Sequence, residues 1–228
     1  MTVVSHSVGI AKTRTLADAL ARVQSGMRVL VGGFGERGFP FMLVDEVQRL
    51  GVNNLTIIKS DGNEDAIGVG RLIAGGQVVR VIMSHIGLNR QLGQMINDGK
   101  IEAEICPQGI LAERVRAGGA GLGGILSDIG IDTILSGGKK RVDVGGKTFL
   151  VEEAIRADLA LIHAHRGDHA GNLTYRHAAR NFNPLMAMAA EYVVAEVEEL
   201  VPTGSLRPDD VVTPCVFVDA IVHVGTGT

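Results

Sequence analysis

The sequence predicts an α/β fold: a mostly parallel, doubly wound sheet with helices on both faces and a glycine-rich β excursion. Three observations carry that reading. Short apolar runs of strand length alternate with helix-compatible segments. Several of those runs end in glycine-dense or polar turns, as strands of a parallel sheet do at their carboxyl ends. One stretch, Gly118 to Gly146, breaks the rhythm with glycine clusters and a hairpin pattern. The 228 residues read as one domain spanning 1–228, without internal repeat or disordered linker.

Thr15 to Ser25 reads as an amphipathic helix, with Leu16, Ala19, Leu20 and Val23 at helical spacing, Thr13 or Thr15 as cap and Gly26 as stop. Met27 to Val31 is a buried strand. It runs into Gly32-Gly33-Phe34-Gly35-Glu36-Arg37-Gly38-Phe39-Pro40, and a helix follows from Phe41 to Leu50, stopped by Gly51. Leu55 to Ile58 is a strand ending in the polar turn Lys59 to Asn63. Val78 to Met83 is a strand ending at Ser84-His85-Ile86-Gly87. Gln91 to Asp98 is a helix stopped by Gly99. Ile101 to Ile105 alternates apolar and acidic residues, as a strand with one wet face does. A short helix, Leu111 to Ala117, is ended by Gly118-Gly119. Within the excursion, Arg141 to Val144 and Lys147 to Leu150 flank Gly145-Gly146 as a hairpin. The sheet resumes at Asp158 to Ile162, followed by a helix at Pro184 to Ala190 and a strand at Tyr192 to Ala195. Pro202, Pro208 and Pro214 punctuate a tail that closes on the apolar run Val216 to Val224.

Composition excludes several classes. A net charge of −3 and 4% aromatics with no tryptophan argue against a nucleic-acid surface. No apolar run reaches the ~20 residues that span a bilayer, and the first residues lack a secretory leader. Two distant cysteines, Cys106 and Cys215, read as small packing residues in a reducing, cytoplasmic setting.

The glycine loop Gly32 to Gly38 is the leading candidate site. Glycines let bare backbone N–H groups approach a phosphate or a developing oxyanion. The spacing is neither a dinucleotide fingerprint nor a Walker loop, so a tight strand-to-helix turn explains the glycines equally well. Neighbouring strand ends offer three more candidate loops: Ser60 to Asn63, Ser84 to Gly87, and Pro107 to Gly109. Glu36 is the best isolated carboxylate, because it lies inside the glycine loop. Glu113 reads as a solvent-facing acid. His163 and His165 share a face in a strand, and His169 lies nearby, but no ligand spacing completes a metal site; a polar strand end is the better reading. Arg166-Gly167-Asp168 reads as a turn. No Gly-x-Ser-x-Gly elbow is present, and Ser84 beside His85 is a poor catalytic pair.

Five stretches together resemble a known family. They are Gly32-Gly33-Phe34-x-x-x-Gly38-x-Pro40; Pro107-Gln108-Gly109-x-Leu111-Ala112-Glu113-Arg114-x-Arg116-Ala117-Gly118-Gly119-Ala120-Gly121; Arg156-Ala157-Asp158-x-Ala160-Leu161-Ile162; Gly171-Asn172-Leu173-Thr174-Tyr175-Arg176 with Ala179-Arg180-Asn181-Phe182-Asn183-Pro184; and Val212-Thr213-Pro214. In this order they resemble the α-type subunit of family I coenzyme A transferases acting on 3-oxoacids and short-chain acids. Ser25, Glu36-Arg37 and Phe39 with Phe41 depart from the family pattern.

The resemblance implies a CoA-transferase-like fold and a ping-pong transfer of CoA between an acyl-CoA and a carboxylic acid. Coenzyme A would be a co-substrate, with no permanently bound cofactor and no metal. The nucleophilic glutamate would lie on a separate β subunit, in a Ser-Glu-Asn-Gly-type motif that these 228 residues lack. An α2β2-type assembly is implied. Gly32, Gly33, Phe34, Gly35, Glu36, Arg37 and Gly38 would contact CoA, with the Phe34 and Gly35 N–H groups as oxyanion donors. Asn63 and Gln108 would line the carboxylate side of the pocket, or else cap turns. Two other readings remain open: a non-catalytic CoA-binding subunit, and a sugar-phosphate isomerase or deaminase of the same fold.

Overall fold

The computed structural model describes residues 11–225. The elements, in chain order, are α1 (Leu16–Leu20), β1 (Arg28–Val31), α2 (Phe41–Leu50), β2 (Leu55–Ile58), α3 (Val69–Ala74), β3 (Val78–Met83), α4 (Arg90–Asn97), β4 (Glu102–Ile105) and α5 (Gln108–Gly119). There follow β5 (Gly124–Ser127), β6 (Arg141–Val144), β7 (Lys147–Glu153), β8 (Ala157–Asp168), β9 (Leu173–Thr174), α6 (Asn183–Met188), β10 (Ala190–Val201) and β11 (Ala220–His223).

The main sheet has the order β11-β10-β8-β1-β2-β3-β4 and is parallel throughout; β9 adds antiparallel to β8. Strands buried on both faces read as near-continuous apolar runs. Period-two alternation therefore feeds two cores. Val29, Val31, Ile57, Val81 and Leu161 pack under α1 to α4. Leu30, Ile58, Ile82, Ala160 and Ile162 pack under α5 and α6. The doubly wound prediction holds, and the excursion is a separate antiparallel sheet ordered β5-β7-β6. Among the described residues no helix is long and apolar enough to cross a membrane. The leader question concerns residues 1–10, outside the described range.

The sheet order reverses at β1, which has β2 on one side and β8 on the other. The crevice beyond the carboxyl end of such a strand is where ligands bind in open α/β sheets. The glycine loop occupies that place.

Several elements differ from expectation for local reasons. The first helix ends at Leu20, because the chain turns there and delivers Val23 to the core (Val23 N–H to Leu20 O, 3.0 Å). Helix α3 has no counterpart in the sequence reading; its buried Val69, Leu72 and Ile73 fix the turn. Strands β8 and β10 run well past their apolar stretches, since their polar ends pair across the sheet. His163 meets Glu196, His165 meets Glu198 and Arg166 meets Glu199. Arg166-Gly167-Asp168 is thus strand end, not turn. Buried Asp168 accepts the N–H groups of Ala170, Gly171 and Asn172 at 2.9–3.1 Å and organises the turn that follows.

Gly118 and Gly119 also do not end their helix. They form its last turn, where a Cβ on Gly118 would run into the Ile155 carbonyl. Gly118→Ala should therefore cost about 1–3 kcal/mol, the range for forced overpacking. Urea unfolding would show it as a lower midpoint at unchanged slope.

Candidate functional site

The glycine loop leaves β1 with Gly32 still in register, its N–H donating to Leu161 O at 2.9 Å. Three anchors then hold the loop. Asn183, fully buried on α6, accepts His163 N–H at 3.0 Å and donates to Gly38 O at 3.0 Å and Ala179 O at 2.9 Å. Glu196, buried on β10, accepts the Leu43 N–H at 3.1 Å in the first turn of α2. There the orphan N–H groups favour a carboxylate.

The third anchor is the end of β2. Lys59 is 0% exposed and donates to Asp61 Oδ2 at 2.8 Å, with its ammonium 5.4 Å from the Phe39 ring centroid. Asp61 Oδ2 also accepts the Ser60 hydroxyl at 2.6 Å and the Gly35 N–H at 2.9 Å, while Oδ1 takes the Asn63 N–H at 2.9 Å. Burial lowers the Lys59 pKa, and Asp61 restores only part of it. Burial raises the Asp61 carboxyl, but the Lys59 charge and hydrogen bonds from Lys59, Ser60 and Gly35 outweigh that and hold it below its ordinary value.

A cleft of about 440 Å³ opens above these residues, lined by Gly35, Glu36, Arg37, Phe41, Asp61, Asn63, Glu64 and Leu88. Phe34 stands beside it at the loop tip, 50% exposed. A cleft of about 500 Å³ beside Arg22, Asp158 and Tyr192 lies at the amino ends of β1, β8 and β10, the end of a parallel sheet that ligands avoid.

The structure places the residues with expected roles as follows. The Phe34 N–H donates to Arg37 O at 3.1 Å, and the Gly35 N–H to Asp61. Both expected oxyanion donors are thus engaged within the chain. Asn63 uses both ends of its amide internally: Nδ2 donates to Gly35 O at 3.0 Å and Oδ1 accepts the Val69 N–H at 3.2 Å. It fixes the loop from below. Gln108 is exposed at the start of α5, its Oε1 3.1 Å from the Ser84 hydroxyl, and does not line the cleft with Asn63. Glu36 and Arg37 do line it. Glu113 is paired with Arg116 at the surface. Cys106 is buried, and burial raises its thiol pKa; Cys215 is partly exposed and forms no disulfide.

Lys59, Asn183 and Glu196 carry no role in the sequence reading, and Asp61 enters it only as a member of the candidate loop Ser60 to Asn63. A signal for the Lys59–Asp61 pair exists. In a strand, residues 57, 59 and 61 share one face, so Lys59 and Asp61 continue the core-facing side of Ile57 and must pair there. Asn183 and Glu196 act from more than 140 residues away and have no local signal.

His163 and His165 share a face, as read, and both contact Glu198, at 3.1 and 2.8 Å; His163 also contacts Glu196 at 3.1 Å. His169 lies apart, on Thr13. No group of three or more metal-binding side chains is arranged for an ion among the described residues. Burial lowers the His163 pKa, but Glu196 and Glu198 outweigh it, so the net shift is upward. Its stabilisation is therefore complete below about pH 6.5, the unfolded value, and is lost as pH rises through the higher folded value. The melting-temperature gap between the native chain and His163→Gln should shrink across that window.

The family model described as Coenzyme A transferase matches residues 13–224. The alpha chain of acetate CoA-transferase from Escherichia coli (strain K12) is 47% identical over 211 residues, covering 92% of this chain and 96% of its own length. The alpha chain of the acetoacetyl-CoA:acetate/butyrate CoA transferase of Clostridium acetobutylicum is 42% identical over 199 residues, covering 87% and 91%. Among solved structures, an acyl-CoA transferase from Escherichia coli O157:H7 in a thioester complex with CoA superposes with a TM-score of 0.86 at 25% identity, over 96% of this chain and 48% of that one.

Proposed function

The chain belongs to the coenzyme A transferase family, and from that premise we propose that it is the α-type subunit of an enzyme moving CoA between an acyl-CoA and a short-chain carboxylic acid or 3-oxoacid. The observation that carries this reading is similarity over most of both chains with relatives named as the alpha chains of such transferases. The glycine loop at the switch-point strand, opening on a cleft with apolar walls at Phe41 and Leu88, supports it.

The 228 residues act as one unit beside a β subunit, in an α2β2-type cytoplasmic assembly. Coenzyme A is a co-substrate, with no permanently bound cofactor. The loop Gly32 to Gly38 contacts the acyl-CoA. Asn63 holds the loop, and Gln108, exposed beside Ser84, belongs to the acid side.

The nucleophile is a glutamate of the β subunit. Its carboxylate oxygen bonds to the thioester carbon, the C–S bond breaks, and CoA leaves as thiolate. The resulting mixed anhydride is attacked by that thiolate at the glutamyl carbonyl, which releases the first acid and leaves a glutamyl-CoA thioester. The acceptor acid runs the sequence in reverse. Water must be excluded, because an anhydride hydrolyses readily.

The test is CoA exchange from succinyl-CoA to acetoacetate and to 3-oxoadipate, by this chain alone and after co-expression with a candidate β partner. Exchange only in the mixture supports the proposal, and the preferred acid names the substrate. Turnover by this chain alone overturns the division of labour. A stable complex that binds CoA but exchanges nothing overturns the catalytic reading in favour of a binding role.

A further inference from the structure

We propose that the ligand-facing donor of the glycine loop is the Glu36 N–H, and that buried Lys59 is a positioning residue acting on it through the Gly35 carbonyl. The inference rests on the cleft being the acyl-CoA site.

Most N–H groups of the loop are already taken. Gly32 donates to Leu161, Phe34 to Arg37, Gly35 to Asp61, and Arg37 to Phe34. Gly33 is buried against Phe39, and Gly38 is packed on Ala179. The cleft is lined from this loop by Gly35, Glu36 and Arg37. Of these three, Glu36 has an N–H without a partner among the described residues.

Peptide geometry supplies its direction. In a trans peptide the N–H points opposite to the C=O of the same unit, and no described peptide bond here is cis. The carbonyl of the Gly35–Glu36 unit points inward. It accepts Asn63 Nδ2 at 3.0 Å and lies 3.4 Å from Lys59 Nζ, both on buried side chains. The N–H of that unit therefore points outward, on the side where Glu36 is exposed and lines the cleft.

A buried ammonium and an amide on the carbonyl also polarise the peptide, which strengthens its N–H as a donor. Asp61 sets the aim: it neutralises Lys59 and ties down the preceding N–H, so the peptide plane cannot rotate. When the partner's carboxylate oxygen bonds to the thioester carbon, the carbonyl π pair moves onto oxygen. The Glu36 N–H stabilises that oxyanion. The pair returns to the carbonyl as the C–S bond breaks and thiolate leaves. A preorganised donor of this kind is worth about 10²–10³ in kcat.

The experiment compares Glu36→Pro, which deletes the N–H, with Glu36→Ala, which keeps it, each in the complex with its β partner and assayed with succinyl-CoA. The expected result is a kcat for the proline variant about 10²-fold below that of the alanine variant, with KM within a few-fold. Lys59→Met should lower kcat more than it raises KM, the pattern of an interaction made in the transition state. Equal kcat for Glu36→Pro and Glu36→Ala overturns the proposal. If the proline variant does not assemble, the ¹H–¹⁵N resonance of Glu36 in the native complex decides. It should move on adding succinyl-CoA and move again in Lys59→Met, whereas a stationary Glu36 signal beside shifting Phe34 and Gly35 signals overturns the inference. A native complex that exchanges no CoA sinks the parent reading instead, so the two failures are distinguishable.

Discussion

Asp61→Ala should be the most destabilising single change in the site, at about 3–5 kcal/mol, because it leaves the Lys59 ammonium buried without its counter-charge. Deleting one partner of a buried pair costs far more than the pair contributes on balance. Lys59→Met combined with Asp61→Leu should accordingly recover much of the loss, since both charges go and apolar groups replace them. Chemical denaturation of the single and double variants measures this, and additive effects would contradict it.

The pH dependence has a defined sign. The folded pKa of Asp61 lies below its unfolded value, so its contribution is present above about pH 3.9 and is lost as pH falls through the folded value. Lys59 adds a slope of the same sign at the alkaline end. Its folded pKa lies below its unfolded value, so stability rises as pH climbs toward about 10.4.

Gly38→Ala should lower CoA exchange by about 10²-fold, the scale of a 1 Å displacement of positioned groups. Gly38 has φ +66°, where an L side chain costs about 1–2 kcal/mol, and its Cβ would run into the Ala179 carbonyl oxygen. That oxygen is held by Asn183, which also holds Gly38, so neither side can yield without dragging the loop. The stability loss should reach about 2–5 kcal/mol, strain and overpacking together. Gly35→Ala is the control for stability. Its φ is +56°, but nothing lies within 4 Å of a Cβ there, so only the backbone cost applies. Equal melting temperatures for the two variants would refute the clash argument.

What the sequence made legible was local. The helix Phe41–Leu50 and the strands Leu55–Ile58 and Val78–Met83 were readable to the residue, because proline, glycine and apolar runs mark their ends. The glycine loop was readable as a strand-to-helix turn at the carboxyl end of β1, because a strand, a glycine cluster and a helix follow one another. The state of its N–H groups was not. Which N–H groups are taken depends on Asp61 and on the Phe34–Arg37 turn, and glycine spacing does not report either. Asn63 and Gln108 looked alike as strand-end amides, yet one is buried against the loop and the other is exposed. The polar ends of β8 and β10 hid from the apolar pattern because their polar residues pair with one another across the sheet, His163 with Glu196, His165 with Glu198 and Arg166 with Glu199.

The pairing of β1 with β8 bears on how the chain is made. Arg28 and Asp158, bonded at this seam, are 130 residues apart. At a synthesis rate of about 5–20 residues per second, β1 waits on the order of ten seconds for its second neighbour. During that interval its β8-facing edge is open, and α6 has not yet arrived to cover the face shared by Leu30 and Ile58. Until β8 and α6 have been made, the half-sheet β1 to β4 carries an unpaired β1 edge, the kind of border that invites pairing with another chain. The candidate loop is held by Asn183, and the helix behind it by Glu196, so both anchors arrive only after that border is sealed.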